Sequence, residues 1–96
     1  MRSLQGFKKI LSNHRERIFE EYSIKSMAIF GSFSRREENE KSDLDILVEF
    51  NEKMGIRFID LAEELEDLLK VKVDLVSKKG IKEKYLSSIS EDLLYV

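Results

Sequence analysis

The sequence predicts a layered α/β (α+β) domain, and three observations carry that prediction. Short apolar runs at 24–30, 44–50 and 71–76 have the length and bounding polar turns of strands. Amphipathic stretches at 3–22 and 56–70 alternate with them, and strands interleaved with helices build layered domains. The length of 96 residues matches one hydrophobic core, so residues 1–96 are expected to form a single domain.

In the first helix Leu4, Phe7, Leu11, Ile18 and Tyr22 recur at spacings of three, four and seven, one stripe of a helix. Ser3 precedes them as the expected N-cap. His14 lies on that stripe and reads as a boundary core residue before it reads as a ligand. The first strand ends at Gly31. Residues 32–38 are polar and compatible with a short helical turn, followed by a charged loop to residue 42. The second strand closes in a turn at 51–55, where Gly55 can take a positive φ. In the second helix Phe58, Leu61, Ala62, Leu65, Leu68 and Leu69 form the apolar stripe. Glu63, Glu64, Glu66 and Asp67 then fall on what reads as a solvated face. After the third strand Gly80 breaks the chain, and short helical segments are expected at 81–88 and 91–95. The result is a small three-stranded sheet with helices on one face and the other face free for a site.

Composition excludes several classes. Hydrophobic residues at 42% against 38% charged describe a globular chain, not a disordered one. Seventeen basic against nineteen acidic side chains give a net charge of −2, which argues against strong general nucleic-acid binding. Without cysteine there is neither a disulfide nor a thiolate metal site. No apolar run has the length of a membrane span, so no membrane association and a cytoplasmic location are expected.

Strand alternation concentrates chemistry on one face. Leu44, Ile46 and Val48 share one side of the second strand, and Asp43, Asp45, Leu47 and Glu49 the other. In the third strand Val71, Val73 and Leu75 oppose Lys72, Asp74 and Val76. If both apolar sets face the helices, all three aspartates emerge together. Aspartate is a poor strand former, so an i, i+2 pair needs a cause. It is either a charged guard against edge-to-edge association or a metal-binding pair. Close carboxylates repel, and a cation relieves them. An all-oxygen set favours Mg²⁺ or Mn²⁺ over zinc. Gly31-Ser32, leaving a strand, reads as an ordinary turn or as a phosphate-binding one.

Gly31-Ser32, ten intervening residues and Asp43-Leu44-Asp45 resemble the GSx10DxD signature of the minimal nucleotidyltransferases of the DNA polymerase beta superfamily. The likeness extends through Ser42 to Phe50 and the later Lys72-Val73-Asp74-Leu75-Val76. It implies a nucleotidyltransferase fold with a mixed sheet. Gly31, Ser32 and Arg35 would bind the triphosphate, and Asp43, Asp45 and Asp74 would be the catalytic residues holding two Mg²⁺ ions. Small members of this family act as MntA-like antitoxins that transfer AMP from ATP to a tyrosine of a HEPN ribonuclease toxin. The resemblance therefore implies a protein adenylyltransferase partnered by such a toxin. The alternatives are a non-catalytic module that neutralises the toxin by contact, and a small-molecule nucleotidyltransferase working as a homo-oligomer. Arg36 stands where the family often has glycine, a departure that bears on the loop geometry.

Overall fold

Ser3 opens α1 (Leu4–Glu21) by accepting a hydrogen bond from the Gly6 amide at 3.0 Å, the expected N-cap. The computed structural model describes residues 3–34 and 43–96. Phe7, Leu11 and Ile18 bury the predicted stripe of α1. The helix ends at Tyr22, and Ser23 takes a left-handed conformation (φ 52°) that turns the chain into β1 (Ile24–Phe30). That conformation costs a non-glycine residue on the order of 1 kcal/mol. Two contacts over-determine it: Ser23 carbonyl accepts from the Asn51 amide at 2.8 Å, and Ser23 hydroxyl donates to Glu52 at 2.8 Å.

β2 (Leu44–Phe50) runs antiparallel to β1 and parallel to β3 (Val73–Ser77), with α2 (Arg57–Leu69) crossing between β2 and β3. Lys70 ends α2 in a left-handed cap (φ 55°), a position usually given to glycine. That turn consumes Val71 and Lys72, so β3 starts two residues later than the apolar run suggests. The Val73 amide is then fixed by Glu66 Oε2 at 2.9 Å. Glu66 is thus a tie between α2 and β3 as well as a solvated side chain.

Two expectations are corrected. The sheet has four strands, ordered β3-β2-β1-β4, because the segment expected to be helical at 91–95 instead forms a 3-10 turn (Ser90–Asp92) and the short β4 (Leu94–Tyr95). Antiparallel pairing to β1, Ala28 with Tyr95 and Ile29 with Leu94, outweighs local preference there. The second correction concerns the free face. The core packs α1 and α2 against Leu44, Ile46 and Val48, all fully buried, together with Leu61 and Leu65. On the opposite face a smaller cluster of Phe30, Leu47 and Ile89 gathers Val76 and Leu86. Thus the short α3 (Glu83–Ile89) covers part of the face expected to be bare. The expected helix at 32–38 lies partly, and Arg36 wholly, outside the described residues; the described part, 31–34, forms a turn.

A titrating link joins α1 to α2. Arg57 donates to the Glu21 carbonyl at 3.0 Å and stacks its guanidinium 4.7 Å above the Tyr22 ring. This places a cation at the carboxyl end of α1, where the helix dipole favours one. Burial, then the negative charges of Glu64 and Glu21, push the Tyr22 phenol up to about 12. The folded state therefore holds this proton where the unfolded chain has lost it. The contribution is complete below pH 10 and declines as pH rises towards 12, at most about 2–3 kcal/mol. Urea midpoints measured through this window are expected to fall more steeply for the wild type than for Tyr22→Phe.

Candidate active site

Phe30, the last residue of β1, is paired with Asp45, and Asp45 is paired in turn with Asp74 across the parallel β2–β3 junction. Adjacent strands lie about 4.8 Å apart, so one row across the sheet carries the β1 terminus and two of the three aspartates. Leu44 and Ile46, on either side of Asp45, are fully buried in the core, which directs Asp45 to the opposite face. Val73 is buried on the core side and Asp74 is exposed, so the same alternation holds in β3. Asp43 immediately precedes β2 and is exposed. The backbone thus places all three predicted aspartates at one end of the sheet, beside the predicted Gly31-Ser32 turn.

Gly31 is the tightest element of the site. It leaves β1 with φ +77° and lies so close to Asp45 that a Cβ there would overlap Oδ2 and stand 3.0 Å from the carboxyl carbon. Only glycine satisfies both the backbone angle and the space. The turn is held from two sides. Phe33 is buried against Phe7, rings 5.3 Å apart at 69°, and so roots the turn in α1. Ser34 hydroxyl donates to the Asp92 carbonyl, which ties the turn to the segment entering β4. Ser32, half-buried, lies between Gly31 and these two anchors in the turn.

Sequence reasoning missed both anchors. Phe33 carried a signal, being a lone large apolar residue in a polar turn. Ser34 carried none, because its partner is 58 residues away and depends on a strand that local pattern does not reveal. Arg35, the predicted phosphate contact, lies outside the described residues. Among the described residues, no group of three or more acidic or histidine side chains converges as a ready-made metal cage. The pairing places the aspartates side by side without drawing their side chains into a closed set.

The donor chemistry nevertheless fits a hard cation. The set is all oxygen, and carboxylates about 4 Å apart repel on the order of 4 kcal/mol at an effective dielectric near 20. A glycine cradle pressed against one of the carboxylates brings backbone and acid into the same small space. Glu64, expected on the solvated face, accepts from Arg17 at 3.0 Å and so links the two long helices. No helix among the described residues is long and apolar enough to cross a membrane.

Comparison with known proteins agrees with this geometry. Residues 11–96 match the family model described as a nucleotidyltransferase domain. A Methanocaldococcus jannaschii protein, provisionally named a protein adenylyltransferase, is 50% identical over 98 residues, with both chains fully covered. The protein adenylyltransferase MntA of Thermococcus cleftensis is 37% identical over 97 residues, covering 100% of this chain and 98% of that one. Among solved structures, one described provisionally as a minimal nucleotidyltransferase superposes with a TM-score of 0.74 at 31% identity, covering 90% of this chain and 92% of the other. A toxin-antitoxin crystal structure with AMP-PNP gives a TM-score of 0.62 at 26% identity, over 73% of this chain but only 59% of that one. A chain from a complex of tri-AMPylated Shewanella oneidensis HEPN toxin with MNT antitoxin gives 0.66 at 20% identity, over 91% and 69% of the two chains, a likeness of fold. The Gly-Ser turn, the aspartate row on a mixed four-stranded sheet and the match over residues 11–96 place this chain in the nucleotidyltransferase domain family.

Proposed function

We infer that the protein transfers AMP from ATP to a hydroxyl, a tyrosine in the first instance, on a HEPN-type toxin and thereby acts as its antitoxin. The observation that carries this reading is the pairing of Asp45 with Asp74 across the sheet, with Gly31 packed against Asp45 and Asp43 just before β2. A toxin neutralised by contact alone would not require three aspartates at one sheet end, nor a glycine fitted to one of them. The relatives named protein adenylyltransferases support the choice of a protein acceptor.

In this reading Gly31 and Ser32 cradle the triphosphate. The turn leaves backbone unshielded by a side chain, and the Ser32 hydroxyl adds a donor. Arg35 follows them in sequence and is assigned to a phosphate oxygen. Asp43, Asp45 and Asp74 would hold the metal. What two Mg²⁺ ions supply at such a set, with Mn²⁺ able to replace them, is neutralisation of the triphosphate and of the attacking and leaving oxygens. Asp74, exposed at the edge of the row, accepts the proton of the acceptor hydroxyl. The acceptor oxygen forms a bond to the α-phosphorus, the bond to the bridging oxygen breaks, and pyrophosphate leaves. The acceptor itself comes from another chain.

Titration of the protein with ATP tests the site without requiring turnover. Saturable binding is expected with Mg²⁺ present, weakened at least about tenfold by chelation. Equal affinity with and without the metal would contradict the assignment of the three aspartates.

A further inference from the structure

One cavity of the described residues lies away from the aspartates. About 750 Å³ opens at the far end of the sheet, around the carboxyl ends of β2 and β3 and the amino end of α2. Phe50 borders it, five residues along β2 from Asp45, which is roughly 17 Å at the rise of an extended strand. The two regions therefore occupy opposite ends of one strand. β2, α2 and the parallel β3 form a strand–helix–strand unit, and the crevice beyond the carboxyl ends of parallel strands is where such units receive ligands.

The lining has two characters. Phe50 and Phe58 meet edge to face, centroids 6.2 Å apart at 70°, and with Met54 they form an apolar floor. Lys53, Lys78 and Lys79 stand on the rim. Of the two acids on the rim, Glu49 is ion-paired and Glu52 holds a serine hydroxyl. Glu49 is shared between Lys25 at 3.9 Å and Lys78 at 3.5 Å, and Glu52 accepts from Ser23 at 2.8 Å. Lys53 and Lys79 make no ion pair among the described residues. The amino end of α2 adds the positive end of its dipole, partly offset by Asp60 in its first turn. A volume in the range of small-molecule sites, an apolar floor and a rim of three lysines against two glutamates define one kind of ligand.

We propose that this cavity is a second ligand site, separate from the aspartate row, which takes a small amphipathic anion: an acyl or aryl body on Phe50, Met54 and Phe58 with a carboxylate or phosphate head between Lys53 and Lys79. The proposal does not depend on the acceptor assigned above. Anilinonaphthalene sulfonate, an aryl anion, is the direct probe, with dodecanoate and inorganic phosphate as competitors. Two-dimensional amide NMR of the full chain localises the binding. Saturable one-to-one binding is expected, with shifts centred on Met54, Gly55 and Phe58. Dodecanoate should compete and inorganic phosphate should not, since phosphate lacks the apolar body.

The double variant Lys53→Glu/Lys79→Glu changes exposed or rim side chains only, and is expected to weaken the probe at least about tenfold. Asp45→Asn should leave probe binding unchanged. No saturable binding up to roughly 1 mM, the weak end of specific affinity, would overturn the proposal. So would shifts centred on Asp45 and Asp74, or a double variant that binds as the wild type does. Competition by phosphate as strong as that by dodecanoate would also overturn it, because the floor would then play no part.

Discussion

Replacing Asp45 by asparagine is expected to reduce nucleotidyl transfer at least roughly a hundredfold, the cost of removing one preorganised charge-stabilising group from an active site. Asparagine keeps the size and shape of the side chain, so the fit against Gly31 and the pairing with Phe30 and Asp74 survive. What disappears is the charge. The isosteric change leaves the strand pairing and the buried core untouched, so Asp45→Asn is expected to remain folded while transfer is lost. Activity should fall without a matching fall in the thermal midpoint. Scanning calorimetry beside a transfer assay checks both halves. A variant that loses stability together with activity would assign Asp45 to the architecture of the sheet.

Gly31→Ala is the second large effect, and it acts through geometry. At φ +77° alanine loses about 1–2 kcal/mol relative to glycine, the ordinary penalty of left-handed backbone. Its Cβ would also overlap the Asp45 carboxylate, so either the turn or the aspartate must shift. Phe33 and Ser34 hold the turn, through the ring of Phe7 and the Asp92 carbonyl, which leaves Asp45 as the group that moves. Displacement of this kind is expected to lower transfer on the order of a hundredfold, as small misplacements of reacting groups do. A double-mutant cycle separates the two components. With Asp45→Ala the overlap with the carboxylate is gone and only a 3.3 Å approach to the remaining Cβ is left, so Gly31→Ala should then cost little more than the backbone penalty. A coupling of about 0.5–3 kcal/mol in urea denaturation is expected between these touching residues, and strict additivity would deny the contact.

Much of this site was legible in the sequence because strands impose a period of two. Leu44, Ile46 and Val48 could only be buried together, which fixed the side on which Asp45 emerges. Val73 and Leu75 did the same for Asp74, even though β3 begins later than its apolar run suggests. Gly31 was marked by its place directly after an apolar strand, but the reason it must be glycine was not visible. That reason is a neighbour fourteen positions on in the chain, brought beside it by the β1–β2 register. The fourth strand was invisible for a similar cause. Leu94 and Tyr95 make too short a segment to show a period, and they become a strand only because β1 offers its free edge.

The acids of α2 teach the complementary lesson. Glu63, Glu64, Glu66 and Asp67 fall on the polar side of the helix, and a solvated face was the economical expectation. Glu64 and Glu66 instead reach Arg17 on α1 and the Val73 amide of β3. Helical periodicity says which side a residue occupies, but not which long-range partner waits there. The distinction matters for the site, because Glu66 fixes the first residue of β3, and Asp74 is the next.

The most direct measurement of the central assignment follows the two ends of the nucleotide separately. The protein is incubated with Mg²⁺, a HEPN-type partner and ATP labelled at either the α- or the γ-phosphate. Attack at the α-phosphorus beside Asp43, Asp45 and Asp74 predicts that the α label enters the partner and the γ label leaves with pyrophosphate. The labelling should be lost in Asp45→Asn. Transfer of the γ label would contradict nucleotidyl transfer. Neutralisation of the partner with no label moved, and unchanged in Asp45→Asn, would contradict catalysis at the aspartate row altogether.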